Sequence, residues 1–232
     1  MKIASVLATL IAAAVSTVAT PILGTGTFTS FGSNPTRDNT PFWDRNSSDG
    51  QNCNIGYFLA GGFGPCANRK NGTSSGGLNL GAANLEYYSL GNGMVPYSLA
   101  AGTYSFRLEG RIAGSNTFKV GFRIGGVDTD LFTQSSTVGD LNGFTALGPI
   151  TLYIKDGANV FRTNDTILPA TAAIRDTKTG RYYFGFEDRR NGDGDYNDVI
   201  ISTTFQPVPE PATMGLMGLA LAGIGFARFR SK

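Results

Sequence analysis

The sequence contains no histidine, and this absence excludes several classes of enzyme. Without an imidazole, neither Ser-His-Asp hydrolysis nor Cys-His catalysis is available, and zinc sites lose their usual nitrogen ligand. Between its N- and C-terminal segments the sequence also has no stripe of basic residues. Nucleic-acid binding is driven by release of counterions from phosphates that basic residues neutralise, so we expect no nucleic-acid partner. Long stretches with helical periodicity are missing there as well, which favours a β-rich fold.

Residues 1–19 have the features of a secretory signal peptide. An early lysine, Lys2, is followed by an apolar run of small and aliphatic residues. We expect cleavage near Ala19 or Thr20 and export of the remaining chain. A buried N-terminal helix is the alternative, but the segment lacks the polar face of an amphipathic surface helix.

A second uncharged apolar run, residues 212–227, is followed by a basic tail of Arg228, Arg230 and Lys232. A basic cluster after an apolar helix favours retention of that end in the cytoplasm, which predicts a transmembrane helix with the preceding chain outside. At about 1.5 Å per residue the helix spans only about 24 Å, less than the roughly 30 Å hydrocarbon core. We therefore expect a short transmembrane helix that is a marginal anchor.

Removing both ends leaves one predicted domain over residues 20–206 and a sorting segment over residues 207–232. The ends contain four of the 19 basic residues and one of the 17 acidic ones, which leaves 15 basic against 16 acidic residues in the domain. Prolines in the stretch 206–211 cannot continue a sheet or a helix. This stretch therefore separates the domain from the apolar run.

Cys53 and Cys66 are the only cysteines and lie thirteen positions apart. An even count in an exported chain predicts a disulfide, with two free buried thiols as the alternative. Such a bridge stabilises the fold by about 3 kcal/mol in the chain-entropy model. Because the cysteines are far in sequence from the acidic residues near the end of the domain, we expect loss of the bridge to leave those acids unaffected.

Alternating apolar and polar residues predict two strands, residues 103–112 and 117–124. Because a short Ala-Gly-Ser-Asn link joins them, we expect an antiparallel hairpin with one face exposed to water. Further strands are expected around Leu152, around Val160, over 181–186 and over 199–205.

The N-terminal half of the domain is less regular, with long loops and two short predicted strands, residues 56–60 and 84–90. The tyrosine pairs 87–88 and 182–183 place one ring on each face of a strand, which predicts some exposed tyrosines. Short strands separated by Gly and Asn turns predict an all-β fold, an antiparallel β-sandwich that is jelly-roll-like.

Five of the 17 acidic residues lie within twelve positions: Glu187, Asp188, Asp193, Asp195 and Asp198. Like charges at this density repel, so the folded protein must neutralise them with a cation, with arginines, or by exposure to water.

The spacing in this acidic segment favours calcium. Oxygen-bearing side chains recur at every second position from Asn191 to Asn197, and calcium takes about six to eight oxygen ligands. We predict a calcium site formed by the five acids and Asn197. The segment is not an EF-hand, because strands flank it. A solvated Asp-Gly loop in which Arg189 and Arg190 screen the acids is the alternative.

No catalytic residue is predicted. A carboxylate pair, as in glycoside hydrolysis, would be the remaining route to an enzyme, but these acids lie along one connection rather than across a cleft. Trp43 is either a carbohydrate platform or a core anchor. We expect a non-enzymatic protein, with a calcium-dependent carbohydrate-binding module as the first alternative and an extracellular hydrolase as the second.

Val208, Pro209, Glu210 and Pro211, followed by an apolar run and an arginine-rich end, closely resemble the PEP-CTERM sorting signal of exported proteins in Gram-negative, biofilm-forming bacteria. The resemblance implies a transient anchor in the inner membrane, recognition and cutting by an exosortase, and a destination at the cell surface or in the extracellular matrix. Exopolysaccharide and other matrix components are then the expected partners.

The acidic segment, residues 186–199, is similar to a signature near the end of a bacterial domain of unknown function found in large surface proteins and PEP-CTERM proteins. This resemblance implies a β-rich domain that binds calcium through these acids. The link over residues 189–191 is more basic here than in that family.

Overall fold

The computed structural model describes residues 20–32, 54–60, 77–91, 93–111, 117–166, 171–188, 194–208 and 218–219. The predicted signal peptide, both cysteines, Trp43, Asp193 and the acidic part of the sorting motif lie outside these residues. One α-helix, α1 (Ile55–Ala60), and a short 3₁₀ turn (Ala82–Asn84) accompany the strands. The described strands are β1 (Ile22–Gly24), β2 (Thr27–Ser30), β3 (Leu85–Ser89), β4 (Tyr97–Leu99), β5 (Gly102–Arg111), β6 (Phe118–Ile124), β7 (Val127–Thr133), β8 (Leu141–Ala146), β9 (Thr151–Asp156), β10 (Asn159–Arg162), β11 (Thr171–Asp176), β12 (Tyr182–Phe186) and β13 (Val199–Pro207).

The described strands form two main antiparallel sheets. The larger has the order β2-β3-β11-β12-β13-β5-β8 and the smaller has the order β10-β9-β6-β7, while β1 pairs with β4 alone. Every pairing is antiparallel, and the all-β sandwich expected from the sequence is confirmed. The strands predicted at β3, β9, β10, β12 and β13 are present, whereas β1, β2, β4, β7, β8 and β11 were not predicted.

The main core lies between the two sheets. Apolar side chains of the larger sheet, such as Phe106 and Ile201, share one buried cluster with Val120 and Leu152 of the smaller sheet. At one side the rings of Phe122 on β6 and Phe144 on β8 stack with centroids 3.7 Å apart. Burial of these facing rows holds the sandwich together.

The predicted hairpin between residues 103–112 and 117–124 is wrong, although both strands exist. β5 pairs with β13 and β8 in the larger sheet, and β6 pairs with β7 and β9 in the smaller one. Both strands direct their apolar rows into the same core, so they face each other across the sandwich. Alternation specifies which face of a strand is buried and carries no information about the neighbour.

A third layer covers the other face of the larger sheet. Ile55, Phe58 and Leu59 of α1 pack with Ile174 and Ile200 in a second apolar cluster. Residues 56–60 were predicted as a strand, and this is wrong.

Asn54 is the N-cap of this helix. Its side-chain Oδ1 accepts a 3.0 Å hydrogen bond from the Tyr57 N–H and so caps the first turn. Ile55, Phe58 and Leu59 then recur at helical spacing on the buried side.

Because apolar layers cover both faces at its middle, the central strand β12 of the larger sheet is buried throughout. All five residues of β12 are buried, including Tyr182 and Tyr183 at 3% exposure each. Tyr88 is 5% exposed because it packs in the main core, and Tyr87 is half-buried against the second apolar cluster. None of the four is an exposed residue, so the prediction of exposed tyrosines at these pairs is wrong, since it assumed that one face of each strand is wet.

Candidate functional site

The acidic loop, residues 187–198, connects the two central strands β12 and β13. Of its residues the structure describes 187–188 and 194–198. Within them Glu187, Asp188 and Asp195 are only 4%, 5% and 7% exposed, and Asn197 is 3% exposed. Asp198 is half-buried. The described acids are therefore largely withdrawn from water.

Backbone N–H groups bind two of these carboxylates. The N–H of Tyr196 donates a 2.6 Å hydrogen bond to Oε1 of Glu187, and the N–H of Asp188 donates a 2.7 Å bond to Oδ2 of Asp198. Each bond joins the start of the loop to its end. The two strand ends are thus tied together by carboxylates that accept from backbone, and such bonds favour the ionised form.

The turn at residues 194–197 needs unusual backbone conformations. Gly194 has φ of 76° and Tyr196 has φ of 55°, in the left-handed region that few side-chain-bearing residues adopt. Asp195 and Asn197 contact each other, since the Asn197 amide donates a 2.5 Å hydrogen bond to Oδ2 of Asp195. A non-glycine residue in this region stores strain, and such strain occurs often at functional sites.

The ring of Tyr196 anchors the turn in the third layer. It is 4% exposed, packs in the same apolar cluster as Phe58 and Ile55, and its hydroxyl contacts the sulfur of Met94. The buried ring therefore anchors the turn to the protein interior, although the neighbours of Tyr196 in the sequence are polar or acidic.

The start of α1 is bonded directly to the acidic loop. The N–H of Ile55 donates a 2.9 Å hydrogen bond to the carbonyl oxygen of Asp195. Cys53 is two residues before Ile55 in the sequence. We expected loss of the disulfide to leave the acidic loop unaffected because the cysteines are far from it in sequence. That argument no longer applies, since the residue two positions after Cys53 bonds to the loop. Asn54, which looks like a helix cap, was the available sequence signal and was missed.

The donor chemistry of the loop fits calcium, since every candidate ligand is a carboxylate or amide oxygen. Among the described residues, however, no group of three or more Asp, Glu or Cys side chains is arranged to hold a metal ion. The predicted ligand Asp193 lies outside them. The structure describes the other predicted ligands, Glu187, Asp188, Asp195, Asn197 and Asp198.

The burial bears on the alternative of a solvated loop. At 4–7% exposure, water does not neutralise Glu187, Asp188 or Asp195. Arg189 and Arg190, which the alternative requires, lie outside the described residues.

The last strand leads directly into the C-terminal segment. β13 extends through Pro207, which pairs with Gly102 at the end of β5. From this position residues 207–231 match the PEP-CTERM protein-sorting motif. The chain carries a PEP-CTERM sorting signal. It is therefore an exported, surface-directed protein that an exosortase sorts.

The part of the PEP-CTERM protein before the signal also matches a family. Residues 123–206 match the Domain of unknown function (DUF4114), a stretch that runs from the end of β6 through β13 and includes the acidic loop. No curated protein and no solved structure matches the chain. In the described part of the chain, no helix has the length and apolar character of a membrane span. The apolar run 212–227, apart from residues 218–219, lies outside that part.

Proposed function

We propose that this protein is a non-enzymatic component of the cell surface or extracellular matrix, and that a structural calcium ion binds its acidic loop. One observation carries the proposal: the last strand of the β-sandwich ends at Pro207, and the sorting signal begins at the same residue. The signal begins where the sheet ends, so cutting within it releases the sandwich intact.

Burial of the acidic loop supports the calcium part of the proposal. Glu187, Asp188 and Asp195 are only 4–7% exposed, so water screens their charges poorly. A divalent cation bound by Asp193, Asp195 and Asp198, with Glu187 and Asp188 on the incoming side, would balance this negative charge. Calcium is then structural, because it holds β12 and β13 in register at the centre of the larger sheet.

The rival functions receive less support. A calcium-dependent carbohydrate-binding module needs exposed, coplanar rings near the loop, yet among the described residues every aromatic side chain is buried or half-buried. The aromatic residues beside the acids in the sequence, Phe186 and Tyr196, are 0% and 4% exposed and belong to the core. A hydrolase, the other rival, needs a second carboxylate facing the loop across a cleft.

Two measurements test the proposal. Full-length chain expressed in a host with an exosortase should appear at the surface or in the matrix, and should stay with the inner membrane in a matched strain that lacks the enzyme. Calorimetric titration of the purified chain should give one calcium site with a dissociation constant of about 10⁻⁴ to 10⁻³ M, typical of extracellular modules. Equal surface delivery in both strains contradicts the sorting part, and no calcium binding at millimolar concentration contradicts the metal part.

A further inference from the structure

The outer face of the smaller sheet carries a network of charged side chains. We call it the basic face, and it comprises Lys119, Arg123, Asp128, Asp130, Lys155 and Arg162. Four cations and two carboxylates leave an excess of two positive charges. This contrasts with the domain as a whole, whose charges nearly balance.

A tyrosine forms the floor of this face. Tyr153 is 0% exposed although it points away from the core, and its hydroxyl donates a 2.5 Å hydrogen bond to Asp130. Gly121 on the neighbouring strand provides the space, because a Cβ there would lie 2.5 Å from the tyrosine oxygen. The Lys155 ammonium lies over the ring, 4.5 Å from its centroid. The cations thus lie over a packed, buried tyrosine.

The positive excess is concentrated around one carboxylate. Asp128 accepts a 2.8 Å bond from Arg123 and lies 3.1 Å from the Lys155 nitrogen and 3.6 Å from Nη2 of Arg162. Burial raises its pKa, but the bonds from Lys155 and Arg123 outweigh this and hold the pKa of Asp128 below its usual range. One ionised carboxylate therefore faces three cations.

Arg162 is the least satisfied of these cations. Its separation from Asp128 is longer than a hydrogen bond, and its Nε is buried without a hydrogen-bond partner among the described residues. The side chain is 27% exposed, and so is that of Lys155. Lys119 and Arg123 are 51% and 37% exposed, so the face is open to a partner.

We propose that the basic face binds an anionic polysaccharide through the carboxylate groups of its sugar units. This names a partner for the proposed surface or matrix role and rests on it. An arginine guanidinium matches a carboxylate with two parallel N–H bonds, and cations spread over neighbouring strands suit an extended chain of repeating anions. Two excess charges make each contact weak, and the repeating units of the polymer offer many equivalent binding positions.

The face suits nucleic acid less well than a polysaccharide. Proteins that bind single strands stack bases on exposed aromatic rings, whereas Tyr153, the ring at the centre of this face, is covered. Proteins that bind duplexes neutralise about six to ten phosphates. The basic face offers four cations, two of which share their charge with Asp128 in hydrogen-bonded contact.

The test uses the purified full-length chain in excess chelator, with polygalacturonate as the anionic probe and dextran as the neutral one. We expect binding to polygalacturonate, none to dextran, and loss of binding as salt is raised from about 0.05 to 0.5 M, where charges are screened. The double variant Lys119→Gln/Arg162→Gln should bind at least about tenfold more weakly. It leaves Asp128 with Arg123 and Lys155, and Asp130 with Tyr153, so both carboxylates keep a partner.

Two further variants separate recognition from folding. Lys178→Gln removes one exposed cation in the turn between β11 and β12 and should bind like the wild-type chain. Asp130→Asn adds to the positive excess and should bind more tightly, which a folding defect would not produce. Equal binding by the wild type and the double variant overturns the proposal, as does tighter binding to DNA or to anionic lipid vesicles than to polygalacturonate. None of these results affects the strain comparison that tests surface delivery.

Discussion

The N–H of Ile55, at the start of the helix, donates a 2.9 Å hydrogen bond to the carbonyl oxygen of Asp195 in the acidic loop. The bond joins the third layer of the protein to the connection between its two central strands. Gly185 on β12 lies in the same contact region, beside both Ile55 and Tyr196. Stability of the helix layer and geometry of the loop are therefore coupled.

We expect calcium to stabilise the fold through the acidic loop. At millimolar calcium and a dissociation constant of about 10⁻⁴ to 10⁻³ M, linkage gives about 0.4 to 1.4 kcal/mol, or up to roughly 5 °C in melting temperature. Asp195→Asn should reduce this rise. Asp140→Asn removes an exposed carboxylate elsewhere and should keep it, since an amide oxygen can still accept from the Thr137 N–H. Identical melting in chelator and in calcium would rule out the calcium site.

We expect a disulfide between Cys53 and Cys66, with an effect on the loop as well as on stability. Removing it by Cys53→Ser/Cys66→Ser should cost about 3 kcal/mol in the chain-entropy model. Because Ile55 follows Cys53 closely and bonds to Asp195, the variant should also bind calcium more weakly. A non-reducing peptide map checks the bridge, and both thiols free to alkylation would refute it. An unchanged calcium affinity would show that the hydrogen bond from Ile55 to Asp195 does not transmit the loss of the disulfide to the acidic loop.

Gly185→Ala should destabilise the protein by about 1 to 3 kcal/mol, the usual cost of overpacking a core. A Cβ there would lie closer than 3.0 Å to the Tyr196 carbonyl oxygen, which is backbone, and to the Ile55 side chain. Gly148→Ala is the matched control, since a Cβ at that position meets nothing within 4 Å. Denaturant unfolding compares the two. A Gly185 variant as stable as the Gly148 variant would contradict the packing described for β12.

Stability should fall at alkaline pH. Burial, and then the negative charge of Glu109, raises the pKa of Tyr183 to about 12 from its usual 10.0. A raised pKa means that the folded state holds the proton more tightly than the unfolded state. The contribution of Tyr183 to the free energy of unfolding is therefore complete below about pH 10 and is lost as the pH rises to about 12. Each such tyrosine adds up to about 1.4 kcal/mol per pH unit to the slope. Tyr183→Phe should flatten the pH profile of unfolding in this window, and an unchanged slope would contradict it.

The mature protein should lack its C-terminal apolar run. Mass spectrometry of surface material from the native host should find a C-terminus near Pro211, because the exosortase cuts at the sorting signal. Replacing Pro209, Glu210 and Pro211 with alanine should leave the chain in the membrane fraction. Peptides that reach Lys232 in surface material of the wild type would exclude this processing.

The sequence by itself determined the class of fold and the destination of the chain. Alternation of apolar residues identified β5 and β6 as strands, because side chains on a pleated strand alternate between its faces. The PEP-CTERM signal was recognisable because order and composition along the chain define it, and neither depends on tertiary contacts.

Only the tertiary structure decided which strands are neighbours and which acids are buried. β5 and β6 face each other across the core, since pairing depends on the closure of distant segments rather than on local pattern. The helix layer covers Tyr183, and Glu187 and Asp195 are buried as well, although no pattern near them in the sequence indicates this burial. The contact from Ile55 to Asp195 and the cluster of cations around Asp128 likewise arise from segments that meet only after folding.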